Sequence, residues 1–80
     1  MPRPPSAFGQ VVLARLEMCK MSRADVLDLM ANQGHKVSRK TLSAWIVGRR
    51  RPRYEDLVAL ADALAIPTEE RGRLLELVAA

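Results

Sequence analysis

The chain has 80 residues, 49% hydrophobic and 28% charged, which is a globular composition with room for one domain and one modest core. One cysteine, Cys19, excludes an internal disulfide and fits a reducing compartment; no apolar run approaches the roughly 18 residues of a membrane span, and the start, MPRPPSAFGQ, lacks the apolar stretch of a signal peptide, so a cytoplasmic protein is expected. The net charge of +4 is unevenly spread, with eleven Lys/Arg against three Asp/Glu in residues 1–53 and two against six in residues 54–80, as in a protein with one face built for a polyanion.

Three prolines in the first five residues predict an irregular, mobile arm over residues 1–6, and a single domain is expected over 7–80. The first helix should run from about Ala7 to Lys20, since Phe8, Val11, Val12, Leu16 and Cys19 follow the i, i+3, i+4 rule. Cys19 on that face reads as a small buried hydrophobe. Ser22 suits the N-cap of a second helix, with Asp25 as its capping-box partner and Val26, Leu27, Met30 and Ala31 as its apolar stripe. Gly34 fits the left-handed position that ends a helix.

Ser38 caps a third helix, in which Leu42, Trp45 and Ile46 share one side. Lys40, Ser43, Ala44 and Val47 point the other way, and Arg39 lies at the edge. Gly48 stops this helix and Pro52 forbids its resumption. A fourth helix begins near Tyr54 with Leu57, Leu60, Ala61 and Leu64 on its inner face. Pro67–Thr68 breaks the chain and recaps it, and Glu69 and Glu70 suit the positive end of a fifth helix. Leu74, Leu75, Leu77 and Val78 give that helix more apolar surface than one stripe needs. There is no strand alternation, so the expected fold is all-α: a compact five-helix domain.

Residues 34–53, GHKVSRKTLSAWIVGRRRPR, hold seven basic side chains and no acid around the apolar set Val37, Leu42, Trp45 and Ile46. A helix that enters the DNA major groove, about 12 Å wide, needs a buried face to fix it, small and polar residues toward the bases, and positive charge beside it for phosphates. Leu42, Trp45 and Ile46 supply the first. Arg39, Lys40, Ser43 and Ala44 supply the second, and Arg49, Arg50, Arg51 and Arg53, with Lys36 before the helix, supply the third. An enzyme is not expected: no nucleophile–base pair, metal-ligand cluster or Gly-rich phosphate loop is recognisable, and the lone His35, beside Lys36 in a turn, reads as a solvated residue or a neighbour of phosphate. No cofactor follows from these residues.

VSRKTLSAWIVGRRRP resembles the recognition helix and following loop of the lambda-repressor-like, or Cro/C1-type (xenobiotic-response-element type), helix-turn-helix regulators. MSRADVLDLM resembles the helix before it and EDLVALADAL the helix after the loop, so the resemblance spans roughly residues 8–66. It implies a prokaryotic or phage-encoded, nucleoid-associated protein that binds double-stranded DNA, most simply a repressor, with the helix that begins near Ser38 in the major groove. Ser38, Arg39, Lys40, Ser43 and Ala44 match positions that face DNA. Arg39 and Lys40 are candidates for guanine O6/N7 or phosphate, Ser43 for a base or phosphate, and Ala44 for a thymine methyl. Thr41 helps at the helix start, and Arg23 matches a phosphate or base-orienting position.

The chain departs from the family pattern in three places: ANQGHK makes the link between the second and third helices long, Ile46 replaces a glutamate that pairs with an arginine of the first helix and so leaves Arg15 without that carboxylate, and Arg23 replaces a glutamine. A homodimer through Leu74, Leu75, Leu77 and Val78 would read an inverted repeat. The alternative is an antitoxin-like protein-interaction module that uses the last helix and binds DNA weakly; seven basic residues without an acid argue against that role alone.

Overall fold

The computed structural model describes residues 4–79, the last of them by its backbone alone. Met1–Arg3, the start of the expected arm, lie outside the described residues. Five helices follow in chain order: α1 Ala7–Cys19, α2 Arg23–Asn32, α3 Arg39–Val47, α4 Tyr54–Ala63 and α5 Thr68–Ala79. Helix α1 packs against α3 and α5, and α2 packs against α3 and α4. The shared core gathers Phe8, Val12 and Leu16 of α1, Val26 and Met30 of α2, Leu42, Trp45 and Ile46 of α3, Leu57 and Leu60 of α4, and Leu74 of α5.

Side-chain capping starts the first three helices. The Ser6 hydroxyl accepts from the Gly9 N–H and Ser38 from the Thr41 N–H. Ser22 and Asp25 form a reciprocal capping box. Because Asp25 accepts the Ser22 backbone N–H at 2.9 Å, and to a lesser degree because of the Ser22 hydroxyl, its carboxyl is held below the ordinary carboxylate value. Helix α5 begins at Thr68 itself, with the Glu70 N–H donating to Pro67 O at 3.0 Å.

The helix ends share one device. At each of α1 to α4 the chain turns through a left-handed residue, Lys20, Gly34, Gly48 and Ala65. The next residue then donates back to the helix: Met21 N–H to Leu16 O, His35 to Met30 O, Arg49 to Ala44 O and Ile66 to Ala61 O, all at 2.9–3.0 Å. These are Schellman closures, which satisfy carbonyls that the helix leaves open. Gly34 and Gly48 occupy this conformation as their identity predicts. Lys20 and Ala65 occupy it without glycine's freedom, so α1 ends one residue short of the expected Lys20.

Several expectations change with packing. Ala31, placed on the inner stripe of α2, is exposed, because a ten-residue helix buries only the i, i+4 pair Val26 and Met30 fully. Val11 and Cys19 are half-buried; the Cys19 sulfur lies 3.6 Å from Leu64 O. Ser6, assigned to the arm, is anchored: its N–H and hydroxyl both donate to Ile46 O, at 2.9 and 3.0 Å. On α5, Leu74 is buried and Leu77 and Val78 pack against the core. Leu75, 40% exposed, is the one of the four residues assigned to a homodimer that stays on the surface.

Candidate nucleic-acid interface

Helix α3 is fixed before any ligand arrives. Its apolar side, Leu42, Trp45 and Ile46, is at most 4% exposed. Its C-terminal end is held by Ser6 through the Ile46 carbonyl. Gly9 permits this approach of α1 to α3: a Cβ on residue 9 would stand 1.9 Å from Ile46 O and 2.7 Å from Ile46 C. A helical glycine here is a packing requirement, since no side chain fits between the two backbones.

The opposite side of α3 carries the candidate contacts. Arg39 and Lys40 are exposed, and Thr41, Ser43 and Ala44 are half-buried. Ser38 and Thr41 are brought together at the N-terminus, their hydroxyl oxygens 3.0 Å apart, while the Ser38 oxygen accepts the Thr41 N–H at 3.1 Å. These two hydroxyls serve the helix start. Arg23, at the start of α2, donates from Nη1 to the Ser43 Oγ at 3.2 Å. Two of the candidate residues, twenty positions apart in the chain, thus form one unit.

Beyond Gly48 the chain leaves α3 as an exposed basic strip, Arg49, Arg50, Arg51 and Arg53, around a buried Pro52. Arg53 occupies the N-cap of α4 without a side-chain cap. Lys36 is exposed on the other flank of α3. His35, expected as a solvated residue or a neighbour of phosphate, is half-buried, with its Nδ1 3.5 Å from Asp56 Oδ1 in the first turn of α4. Asp62 pairs with Arg71 at 2.7 Å, so one of the six C-terminal acids, expected on a solvated outer face, has a cationic partner.

Sequence reasoning missed the residues that set α3 in place. Ser6 and Gly9 gave partial signals: Ser6 precedes an apolar helical run, and an isolated glycine inside a helix marks close packing. Arg15, without its carboxylate, finds another use. It donates from Nε to Leu64 O at 3.0 Å and from Nη2 to Ala65 O at 2.7 Å, placing a cation on the negative end of α4. Among the described residues no group of His, Cys, Asp and Glu is placed to hold a metal ion, and no helix is long and apolar enough to cross a membrane.

A capped helix with one buried and one polar face, preceded across a turn by a partner helix and followed by a basic loop, is the arrangement of a helix-turn-helix unit. A model of the helix-turn-helix family matches residues 13–71. The chain belongs to the Cro/C1-type helix-turn-helix family. No curated protein and no solved structure matches it. In helix-turn-helix terms α2 and α3 are the two helices of the motif, and the protein is a DNA-binding regulator. The match begins inside α1, after the Ser6–Gly9 anchor, and runs into α5.

Proposed function

We propose that this helix-turn-helix protein binds double-stranded DNA in a sequence-specific way and represses transcription by occluding a promoter. The observation that carries the reading is the two-sidedness of α3. Leu42, Trp45 and Ile46 are buried while Arg39 and Lys40 stand exposed beside Arg49, Arg50, Arg51 and Arg53. A recognition helix held this way presents its outer face to base edges, and the arginine strip meets the phosphates on its flank. Arg39 and Lys40 are the exposed donors for base edges or phosphates, and Ala44 is the small residue beside which a thymine methyl fits.

Selection of bound duplexes from a randomised pool, at near-physiological salt, tests the reading. Enrichment of a motif supports sequence-specific binding; no enrichment overturns it. The same experiment reads the oligomer. An inverted repeat with half-sites about 10 base pairs apart, or a multiple of that, calls for a two-fold dimer, and Leu75 is the residue of α5 through which it would form. Replacing Arg49 and Arg50 with alanine should shallow the dependence of log affinity on log salt by roughly one unit per lost phosphate contact. An unchanged slope removes their phosphate role.

A further inference from the structure

We propose that Arg23 reads a guanine in the major groove and that Ser43 is its positioning residue and not a base reader. This rests on the sequence-specific binding proposed above. Arg23 is the first residue of α2, yet its guanidinium is tethered to α3 by the 3.2 Å bond from Nη1 to Ser43 Oγ. A serine oxygen stands one bond from Cβ. An arginine held by it lies along the outer wall of the recognition helix, inside the groove that helix enters, and not out at the rim where phosphates run.

The donor inventory points to guanine. A guanidinium carries five N–H groups in a fixed fork. One N–H spent on Ser43 leaves the Nε–Nη2 edge complete, and that two-donor edge matches the O6 and N7 acceptors of guanine. The tether also restricts a side chain that otherwise loses much rotamer freedom on binding.

The test is duplex selection with the wild-type chain and with Arg23→Met, Ser43→Ala and Ser43→Thr, each first checked for a cooperative melt. Methionine keeps an unbranched stem but removes every N–H donor, and methionine and alanine are both good helix formers, so both variants should fold. Expected is a guanine preference of roughly 5- to 150-fold at one position of the wild-type site, lost at that same position in Arg23→Met and Ser43→Ala and kept in Ser43→Thr. Relaxation by Ser43→Ala at a position that Arg23→Met leaves intact would make Ser43 a base reader and overturn the proposal. An unchanged motif in Arg23→Met, with a shallower salt dependence, would make Arg23 a phosphate contact and overturn it too. A wild-type chain that selects no motif fails the sequence-specific reading as a whole, whereas a wild-type motif indifferent to these variants fails this inference alone.

Discussion

Replacing Gly9 with alanine should undo much of what holds α3 in place. In isolation the change favours helix by about 1 kcal/mol, because glycine is the poorer helix former. Here the new methyl would stand 1.9 Å from the Ile46 oxygen and 2.9 Å from its Cα, and both obstacles are backbone, which has no rotamer to move aside. Helix α1 must back away from α3. That costs roughly 1–3 kcal/mol or more in overpacking, and it pulls Ser6 from Ile46 O, where two hydrogen bonds contribute about 0.5–1.5 kcal/mol each. Set against the propensity gain, a net loss of about 1–5 kcal/mol is expected. For a domain of this size that lowers the melting midpoint by roughly 4–8 °C per kcal/mol. Gly72→Ala is the internal control, since Gly72 lies in α5 and a Cβ added there meets nothing within 4 Å, and the same substitution there should stabilise by about 0.5–1 kcal/mol. Urea unfolding followed by helical circular dichroism and by the fluorescence of buried Trp45 measures both. A Gly9→Ala protein as stable as the wild type would refute the close approach of α1 to α3.

Ala65→Gly should stabilise by about 1 kcal/mol, because residue 65 holds φ at 54° and a left-handed alanine costs roughly 1–2 kcal/mol before glycine's larger unfolded-state entropy is set against it; an unchanged or lowered urea midpoint would show that the closure of α4 carries no strain. Arg15→Met keeps the apolar stem but removes the donors to Leu64 O and Ala65 O, and should lower stability by about 1–2 kcal/mol, with an unchanged midpoint counting against the contact. Asp25 has a folded-state pKa lowered by the Ser22 N–H and hydroxyl, so its contribution is fully present above the ordinary carboxylate value of 3.8 and is lost as pH falls through the depressed value. The stability difference between the wild type and Asp25→Ala should therefore be constant near neutral pH and shrink below that value; a difference independent of pH down to acid would disprove the capping-box linkage.

Local signals in the sequence located the helices well and their contacts less well. Ser22, Ser38, Gly34 and Gly48 act through neighbours a few residues away, so their roles are visible in a short window. Lys20 and Ala65 take the same left-handed position as the two glycines, but nothing in their identity announces it; the closures are imposed by Met21 and Ile66, whose side chains pack inward. On α4, Leu57, Leu60 and Ala61 follow the expected stripe, while Ala59 and Ala63 are buried as well. This helix is enclosed on more than one side, and a single-stripe reading undercounts such a helix. In the candidate interface, the residue types of α3 and its loop were legible from charge and spacing. The bond between Arg23 and Ser43 was not, because it joins two helices through a turn whose length, ANQGHK, departs from the family pattern.

How α3 is held bears on how DNA binding should be measured. Where the family places a glutamate that pairs with an arginine of the first helix, this chain has Ile46, whose side chain is buried and whose carbonyl carries the Ser6 contacts. Arg15 is thereby free to close α4. Helix α3 is thus anchored by apolar packing and by hydrogen bonds to backbone, and among the described residues no ion pair involves it. Added salt screens exposed charges over a Debye length of about 8–10 Å but barely touches packing or backbone hydrogen bonds. Raising the salt should therefore leave α3 seated, so the loss of DNA affinity that accompanies it counts phosphate contacts instead of loosening of the reading helix. A melting midpoint that stays constant across the salt range of the binding titration is the control that licenses this count, and a midpoint that falls with salt would withdraw it.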